Sequence, residues 1–439
     1  MRNIVIKNFR CYESKSIEFR SGINLLIGDN SVGKTSLLRA CNLVMNSFFS
    51  GYSDENTTWR SADNNDFRNT GITELPVEIS FNFGSWDFQH LNNTNGRIIE
   101  LGLDGEYKIE KKSKKNSRNL VSGLGALKEY ASQLQKYSHE IVDGEIRQIH
   151  ALPLYACFST EDIHTVRKFD KDIFKKHQQK PSFGYFESFD CKGLMECWIK
   201  RLLVLKEAKT GEDEINTVRN AIVEALGANG CNIINDMEIR YNDGKVYFTF
   251  IDGRTSEADL LSDGYRRLVN IVMDIAFRCA LLNKAMYGDQ SYKQTYGTVI
   301  IDEIDEHLHP AIQVCVLKAL QMTFPKIQFI VSTHAPLVMS SVENTPENVV
   351  YKLEYKDGIY SHKELNTYGL DASTIMQVYM NQAPRDLAVD YEIKKIESLI
   401  DTEKYSEART ALNKMLERPG SDANPELSKI EATLSFYED

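Results

Sequence analysis

The sequence predicts an α/β head, an α/β lobe inserted into that head, and a helical C-terminal tail. A strand pattern at residues 23–27 leads into a glycine-rich turn and then into apolar residues at helical spacing. A second run of β-forming residues, at 298–301, ends in two acidic residues. Beyond about residue 370 the apolar residues recur at the spacing of amphipathic helices.

Composition limits the class of protein. The chain has 439 residues and a formal net charge of −10, which suggests two to three structural units and argues against a protein that coats nucleic acid with its whole surface. No apolar run approaches the roughly 20 residues of a membrane helix, and the start is too short and too charged for a signal peptide. The eight cysteines form no CxxC pair, so we expect reduced thiols without a zinc site or a disulfide framework. We therefore predict a cytoplasmic protein.

Apolar periodicity places the elements in order along the chain. Strands are predicted at 4–6, 16–19, 23–27, 75–83, 97–103, 237–241, 246–251, 298–302 and 327–332. Helices are predicted at 37–45, within 190–227, at 263–283 and 311–322, and three times in the tail. These elements divide the chain into a first head lobe at 1–60, an inserted lobe at 61–235, a second head lobe at 236–370 and a helical interaction region at 371–439.

The strongest motif is Gly28-Asp29-Asn30-Ser31-Val32-Gly33-Lys34-Thr35, which matches GxxxxGK[ST] at every position. Backbone N–H groups of such a loop, and of the helix after it, point at phosphate oxygens. Lys34 is expected to reach the β- and γ-phosphates of ATP, and Thr35 to ligate Mg²⁺. The predicted nucleotide-binding residues here are Gly28, Asn30, Ser31, Gly33, Lys34, Thr35 and Ser36.

The acidic end of the β-forming run at 298–301 supplies the carboxylates that a nucleotide site needs. The run at 298–301 reads as a strand buried on both faces, and Asp302 and Glu303 follow it. We predict that Asp302 holds Mg²⁺ through water and that Glu303 polarises the water that attacks the γ-phosphate. The alternative is a buried strand that ends in two solvated acids.

Two further segments have the order expected around such a site. Leu261-Ser262-Asp263-Gly264-Tyr265 resembles the LSGGQ signature of ABC-type ATPases, in which this segment caps the γ-phosphate bound by the other protomer. A helix N-terminus with Ser262 and Gly264 suits that task electrostatically. His334 closes a later strand and matches the switch histidine of those enzymes, which contacts the γ-phosphate.

The order of these motifs, together with Arg10 in Lys7-Asn8-Phe9-Arg10, resembles the RecF/SMC/Rad50-type branch of ABC ATPases. The resemblance implies a P-loop ABC-type head that uses ATP and Mg²⁺. It also implies that Arg10 approaches the nucleotide phosphates. In this branch the heads associate head to tail around two ATP molecules, so we expect a homodimer or a higher homo-oligomer.

The residues at 261–268 and 302–310, with Tyr368-Gly369-Leu370-Asp371 before the tail, are similar to those of the ATPase of Septu antiphage systems, including retron-associated ones. That resemblance implies an ATP-hydrolysing subunit that controls a separate HNH-type nuclease. No HNH zinc pattern occurs in this chain, which agrees with such a division of labour. The tail from Pro384 holds 13 acidic and 8 basic residues and is interpreted as an interface for a partner; a helical hairpin packed on the head is the alternative.

Several features leave alternatives open. The basic clusters at 108–118 and 167–180 could contact DNA or RNA backbones, although a solvated loop is the more common use of such residues. Gln89 and Gln148 are both candidates for the glutamine of the Q-loop. His307 and His309 could join neighbouring acids in a metal site, but their segment matches the loop after the catalytic glutamate. A RecF-like DNA repair ATPase and a nucleotide sensor without significant hydrolysis are the competing functions.

Overall fold

The structure is a computed structural model that describes residues 1–68, 75–87, 105–115, 122–142, 145–160, 180–191, 194–421 and 424–438. The chain forms two compact units, Met1–Gly369 and Leu370–Asp439. The α/β class predicted from the sequence is confirmed, and helices make up the second unit. Within the described ranges no helix combines the length and the apolar character that crossing a bilayer requires.

Strands build the first unit. In chain order the described strands are β1 Asn3–Phe9, β2 Tyr12–Glu18, β3 Ile23–Ile27, β4 Val77–Asn82, β5 Tyr107–Lys111, β6 His139–Val142, β7 Glu145–Gln148, β8 Leu154–Phe158, β9 Ile234–Arg240, β10 Lys245–Phe250, β11 Thr255–Glu257, β12 Gly297–Ile301, β13 Ile327–Ser332, β14 Val349–Lys356 and β15 Ile359–Leu365.

The described helices alternate with these strands and then form the second unit. They are α1 Lys34–Asn46, α2 Gly125–Tyr137, α3 Met195–Ala208, α4 Glu212–Leu226, α5 Asp263–Tyr287, α6 Ser291–Gln294, α7 Pro310–Gln313, α8 Val316–Thr323, α9 Pro336–Ser340, α10 Ala372–Thr374, α11 Leu387–Asp401, α12 Tyr405–Leu416 and α13 Pro425–Glu438.

The main sheet has six strands in the order β15-β14-β3-β13-β12-β8. All neighbours are parallel except the β14–β15 hairpin. Every residue of β3, β12 and β13 is buried, as expected for parallel strands whose two faces are covered. Because these three strands run in the same direction, the residues after Ile27, Ile301 and Ser332 meet at one edge of the sheet.

Smaller antiparallel sheets complete the first unit. One has the order β2-β1-β4-β5, a second has the order β11-β10-β9, and β6 pairs with β7. The segment 61–235 contributes β8 to the main sheet and β4 and β5 to the sheet that β1 and β2 begin. The Asn242-Asp243-Gly244 turn predicted between two strands joins β9 to β10, and Gly244 adopts a φ of 66° there.

The expectation of reduced thiols throughout is wrong at one place. Cys157 on β8 and Cys191 form a disulfide. The two residues are separated by 34 positions. No local spacing motif reveals such a pair, because the pairing of β8 with β12 in the folded chain is what positions Cys157.

Two element predictions also differ from the structure. The basic segment beginning at Tyr107 was expected to be a loop or hairpin tip, but Tyr107–Lys111 is strand β5, with alternating burial. The alternation is hidden in the sequence because Lys111 takes a buried position, where its Nζ donates to the carbonyl of Ala62. The single helix predicted at 311–322 is divided into α7 and α8. The strand predicted at 97–103 lies outside the described residues.

Three helices form the core of the second unit. Apolar positions of α11, α12 and α13 that the sequence marks at helical spacing pack together. The buried members are Ile393, Ile396, Ala408, Leu412, Met415, Leu427, Ile430 and Leu434. The tail therefore has a hydrophobic core of its own.

Replacing Leu412 with Ala should destabilise this helical unit by about 2–5 kcal/mol, because Leu412 is fully buried and its removal leaves a cavity. Hydrogen exchange of the α12 and α13 amides under increasing urea measures the change. Leu387→Ala is the matched control, since Leu387 is 76% exposed. Equal effects of the two substitutions would contradict the assignment of Leu412 to the core.

Candidate functional site

The glycine-rich loop between β3 and α1 has a backbone path that only small residues permit. Gly28 and Gly33 have φ values of 142° and 97°. A Cβ atom on Gly28 would lie 2.5 Å from the carbonyl oxygen of Leu353, and one on Gly33 would lie 2.4 Å from the hydroxyl of Tyr12. The Tyr12 hydroxyl donates to the Gly33 carbonyl at 2.9 Å, which fixes the start of α1. The loop is a cradle whose N–H groups suit phosphate oxygens.

Lys34 is the first residue of α1, and its side chain reaches back to this loop. Its side chain is almost entirely buried, and its Nζ donates to the carbonyls of Gly28 at 2.6 Å and Asp29 at 3.0 Å. Burial lowers the pKa of Lys34, while the carboxylates of Asp302 and Glu303 act in the opposite direction. An anionic phosphate would provide Lys34 with a stronger acceptor than these neutral carbonyls.

Asp302 is oriented by a residue that the sequence reasoning did not identify. The Ser332 hydroxyl donates to Asp302 Oδ1 at 2.5 Å and accepts from the Glu303 N–H at 2.8 Å. Thr35 is exposed at the start of α1. A Thr hydroxyl and a carboxylate are oxygen ligands, which fits Mg²⁺ held by one or two protein groups together with phosphates.

Glu303 and His334 come together at the same edge. Glu303 Oε1 lies 3.9 Å from His334 Nε2, and the backbone of Glu303 is left-handed, with a φ of 51°. Partial burial raises the pKa of Glu303, and the neighbouring Asp302 carboxylate adds to the increase, whereas His334 opposes it. A carboxylate with a raised pKa next to a histidine is an arrangement suited to general-base chemistry.

Asp305 orients the segment that carries His334. Its Oδ1 accepts from the Thr333 hydroxyl at 2.5 Å and from the His334 N–H at 3.3 Å. The acid therefore links the loop after β12 to the loop after β13. Side chains that act through such contacts have no motif in the sequence, although the excess of acids at 302–306 was visible.

Arg10 belongs to an ionic cluster centred on the buried Asp66. Its Nε donates to Asp66 Oδ1 at 2.8 Å, and its own N–H donates to the Asp66 carbonyl at 2.9 Å. Asp66 is fully buried and also accepts from Arg39 at 3.2 Å. A carboxylate that binds Nε leaves the outer guanidinium nitrogens of Arg10 available for another anion. The contact joins residues 56 positions apart, so sequence spacing could not reveal it.

The signature-like segment occupies the start of α5. Ser262 is the exposed N-cap residue, and Gly264 is buried against the loop after β12. A Cβ on Gly264 would lie 2.4 Å from the His307 carbonyl oxygen. Among the described contacts, no hydrogen bond joins Ser262 or Gly264 to the glycine-rich loop of the same chain.

Other predicted features lie elsewhere or remain outside the described residues. Gln148 is buried and donates to the carbonyl of Leu282, near the far end of α5, so it is held away from the glycine-rich loop. Gln89 and Arg118 lie outside the described residues. So does the second basic cluster, at 167–180, except for Lys180. Among the residues described, no group of three or more His, Cys, Asp or Glu is arranged to hold a metal ion.

The described part of the first basic cluster contacts its own chain. Lys108 Nζ lies 3.2 Å from a Glu78 carboxylate oxygen, and Lys111 is buried. Lys112, Lys114 and Lys115 are exposed. The cluster is therefore not a uniform basic surface.

Comparison with known sequences shows that this chain is similar to ATPases. The profile of the AAA ATPase domain family matches residues 1–339. The Retron Vc95 probable ATPase of Vibrio cholerae serotype O1 biovar El Tor is 24% identical, over 91% of this chain and 83% of its own length. Septu protein PtuA of Bacillus mycoides (strain KBAB4) is 32% identical, over 38% of this chain and 22% of its own length. DNA replication and repair protein RecF of Lactococcus lactis subsp. lactis (strain IL1403) is 22% identical, over 80% of this chain and 96% of its own length.

The raised pKa of Glu303 predicts a pH-dependent stability. The folded chain holds the Glu303 proton more tightly than the unfolded chain, whose value is near 4.5. The ionised carboxylate therefore destabilises the fold above the folded pKa, and the effect disappears below the unfolded value. Glu303→Gln should raise the melting temperature at pH 7–8, and the difference should shrink as the pH falls toward 5.

Glu343→Gln is the control for this melting series, since Glu343 is an exposed carboxylate in the same unit. We expect no comparable pH-dependent gain from it. A Glu303→Gln variant that melts at the wild-type temperature throughout the series would contradict the assigned direction.

Proposed function

This chain belongs to the AAA ATPase domain family, and on that premise we propose that it hydrolyses ATP as a subunit of an antiphage defence complex. In this proposal it associates with itself around ATP and controls a separate HNH-type nuclease. The observation that carries the hydrolytic part is the meeting of Lys34, Asp302, Glu303 and His334 at the carboxyl edge of β3, β12 and β13.

Binding of ATP is assigned to the glycine-rich loop and its surroundings. Among the described residues, the N–H groups at the start of α1 donate to no side-chain cap, so they are open to phosphate oxygens. Lys34 turns from the Gly28 and Asp29 carbonyls to the β- and γ-phosphates, and Arg10 adds a second cation from the Asp66 cluster. Mg²⁺ held through Thr35 and Asp302 would neutralise charge on the phosphates.

Hydrolysis is assigned to the pair at the end of β12 and β13. Glu303 accepts a proton from the attacking water, and its raised pKa makes it a better base than an ordinary carboxylate. His334 lies close enough to Glu303 to respond to its charge and to donate to the γ-phosphate. Ser332 and Asp305 accept from the backbone N–H groups of Glu303 and His334 and so hold the backbone that carries these two side chains.

The defence assignment rests on the named relatives. The Retron Vc95 probable ATPase aligns with most of this chain, and the alignment covers 83% of its own length. The Septu match covers a shorter segment. These matches support the defence assignment, and the sequence resemblance to Septu ATPases implies the partnership with a nuclease. The separate core of the tail unit supports the tail as the partner-binding element.

The RecF-like alternative has less support. RecF aligns with 80% of this chain, but its identity is lower than that of the retron relative. A DNA clamp needs a continuous basic surface, and Lys108 and Lys111 in the described cluster contact their own chain. Steeply salt-dependent, ATP-dependent DNA binding would favour the RecF-like function.

Glu303→Gln should reduce ATP turnover by at least about 100-fold, because the attacking water loses its base, while ATP binding stays near the wild-type level. Phosphate release and binding of a fluorescent ATP analogue measure the two effects. Glu343→Gln should leave both unchanged. Wild-type phosphate release from the Glu303→Gln variant would exclude Glu303 as the base and favour the nucleotide sensor.

Removal of residues 384–439 should abolish capture of the nuclease encoded next to this gene, whereas ATP binding persists. Co-purification from cells that express both proteins measures the capture, and the full-length chain is the positive control. A truncated chain that still captures the nuclease would move the interface to the first unit. Metal-dependent DNA cleavage by the full chain alone would contradict the role as a regulator.

A further inference from the structure

A fully buried arginine connects the signature-like segment with the proposed base. Arg267 lies about one turn inside α5, after Ser262, and its side chain has no exposed surface. Its Nη2 donates to the carbonyls of Asp302 at 2.8 Å and Glu303 at 2.9 Å. Its Nη1 donates to the Glu306 carboxylate at 2.5 Å. One guanidinium thus holds two consecutive carbonyls and an acid of the same loop.

The carbonyls that Arg267 holds belong to an unfavourable piece of backbone. Glu303 is left-handed, with a φ of 51°, and His307 has a φ of 61°. Residues other than glycine adopt this region only when their surroundings hold them there. The Glu303 N–H is held by Ser332 and its carbonyl by Arg267. Both hydrogen-bonding groups of this residue are therefore fixed.

Backbone packing couples the same two segments. The Cα of Gly264 approaches the His307 carbonyl so closely that an added Cβ would lie 2.4 Å from its oxygen. The first turn of α5 and the loop 303–307 therefore cannot move past each other freely. Arg267 adds a directional link to this contact, because a planar guanidinium fixes the angle as well as the distance.

We propose that Arg267 is a positioning residue: it sets the backbone of Glu303 and links it to the Ser262–Gly264 segment. The proposal rests on the proposed ATP hydrolysis. In heads that associate around two ATP molecules, Ser262 and Glu303 of one chain face different nucleotides. Arg267 would then join the two sites through a single chain, so that closure at one site sets the base of the other.

A conservative substitution tests this role without removing the charge. Arg267→Lys keeps the cation but cannot hold both carbonyls and Glu306 in one plane. Hydrogen exchange of the Glu306 amide is the direct readout, because this N–H donates to the Glu303 carbonyl that Arg267 holds. In the full chain without nucleotide, we expect its exchange to accelerate at least about tenfold. With ATP, kcat should fall at least about tenfold while KM changes little.

Arg278→Lys is a closely matched control. Arg278 is buried in the same helix and likewise binds two carbonyls, those of Gly184 and Phe186, and one carboxylate, that of Asp274. It lies about three turns further along α5 than Arg267. We expect Arg278→Lys to lower the melting temperature at least as much as Arg267→Lys, with the Glu306 amide and kcat unchanged.

A second variant keeps the test decisive if Arg267→Lys folds poorly. Gly264→Ala leaves Arg267 intact but pushes the His307 carbonyl, and it should also accelerate exchange of the Glu306 amide. Unchanged exchange and kcat in folded Arg267→Lys, or equal effects from Arg278→Lys, would overturn the positioning role. If Arg267→Lys accelerates exchange of the Glu306 amide but the wild-type chain itself releases no phosphate, the positioning role stands and the proposed hydrolysis is rejected.

Discussion

The parallel register of β3, β13 and β12 is the constraint on which the candidate site depends. Ser332 pairs with Leu26 on one side, and Val331 pairs with Ile301 on the other, so three strand ends reach the same level. Every residue of these strands is buried and most are apolar, and each chain segment becomes exposed and polar just beyond that level. Ser332 then fastens the end of β13 to Asp302 and Glu303. Hydrophobic burial thus aligns the polar groups, and one hydroxyl holds the alignment.

Most of this arrangement could be predicted from local sequence. Residues 23–27 and 327–332 coincide with strands, and the apolar positions of the tail coincide with its core. The glycine-rich loop has such demanding geometry that few sequences satisfy it, so its motif is informative by itself. The strand ends that carry Asp302 and His334 were also predicted, because a change from apolar to polar residues marks the place where a buried strand leaves the sheet.

The remaining features depend on contacts between distant parts of the chain. Strand β8 follows a segment without clear alternation, and its place beside β12 is a property of the folded sheet. Asp66 and Arg267 look like ordinary surface charges in the sequence, yet both are buried. Their burial is tolerated because each has several partners, and such partners are known only from the structure. The disulfide between Cys157 and Cys191 depends on the same edge strand.

Left-handed backbone at Arg10, Ser31 and Glu303 has an evolutionary consequence. A β-branched side chain is poorly tolerated in this conformation, so a single mutation to Val, Ile or Thr would remove a side chain proposed to act in the site and also strain the local backbone. Few substitutions at these positions can therefore change the side chain without also disturbing the loop. Distant relatives that carry β-branched residues at these positions must have rebuilt the loops around them, which offers a simple criterion for separating diverged ATP sites from abandoned ones.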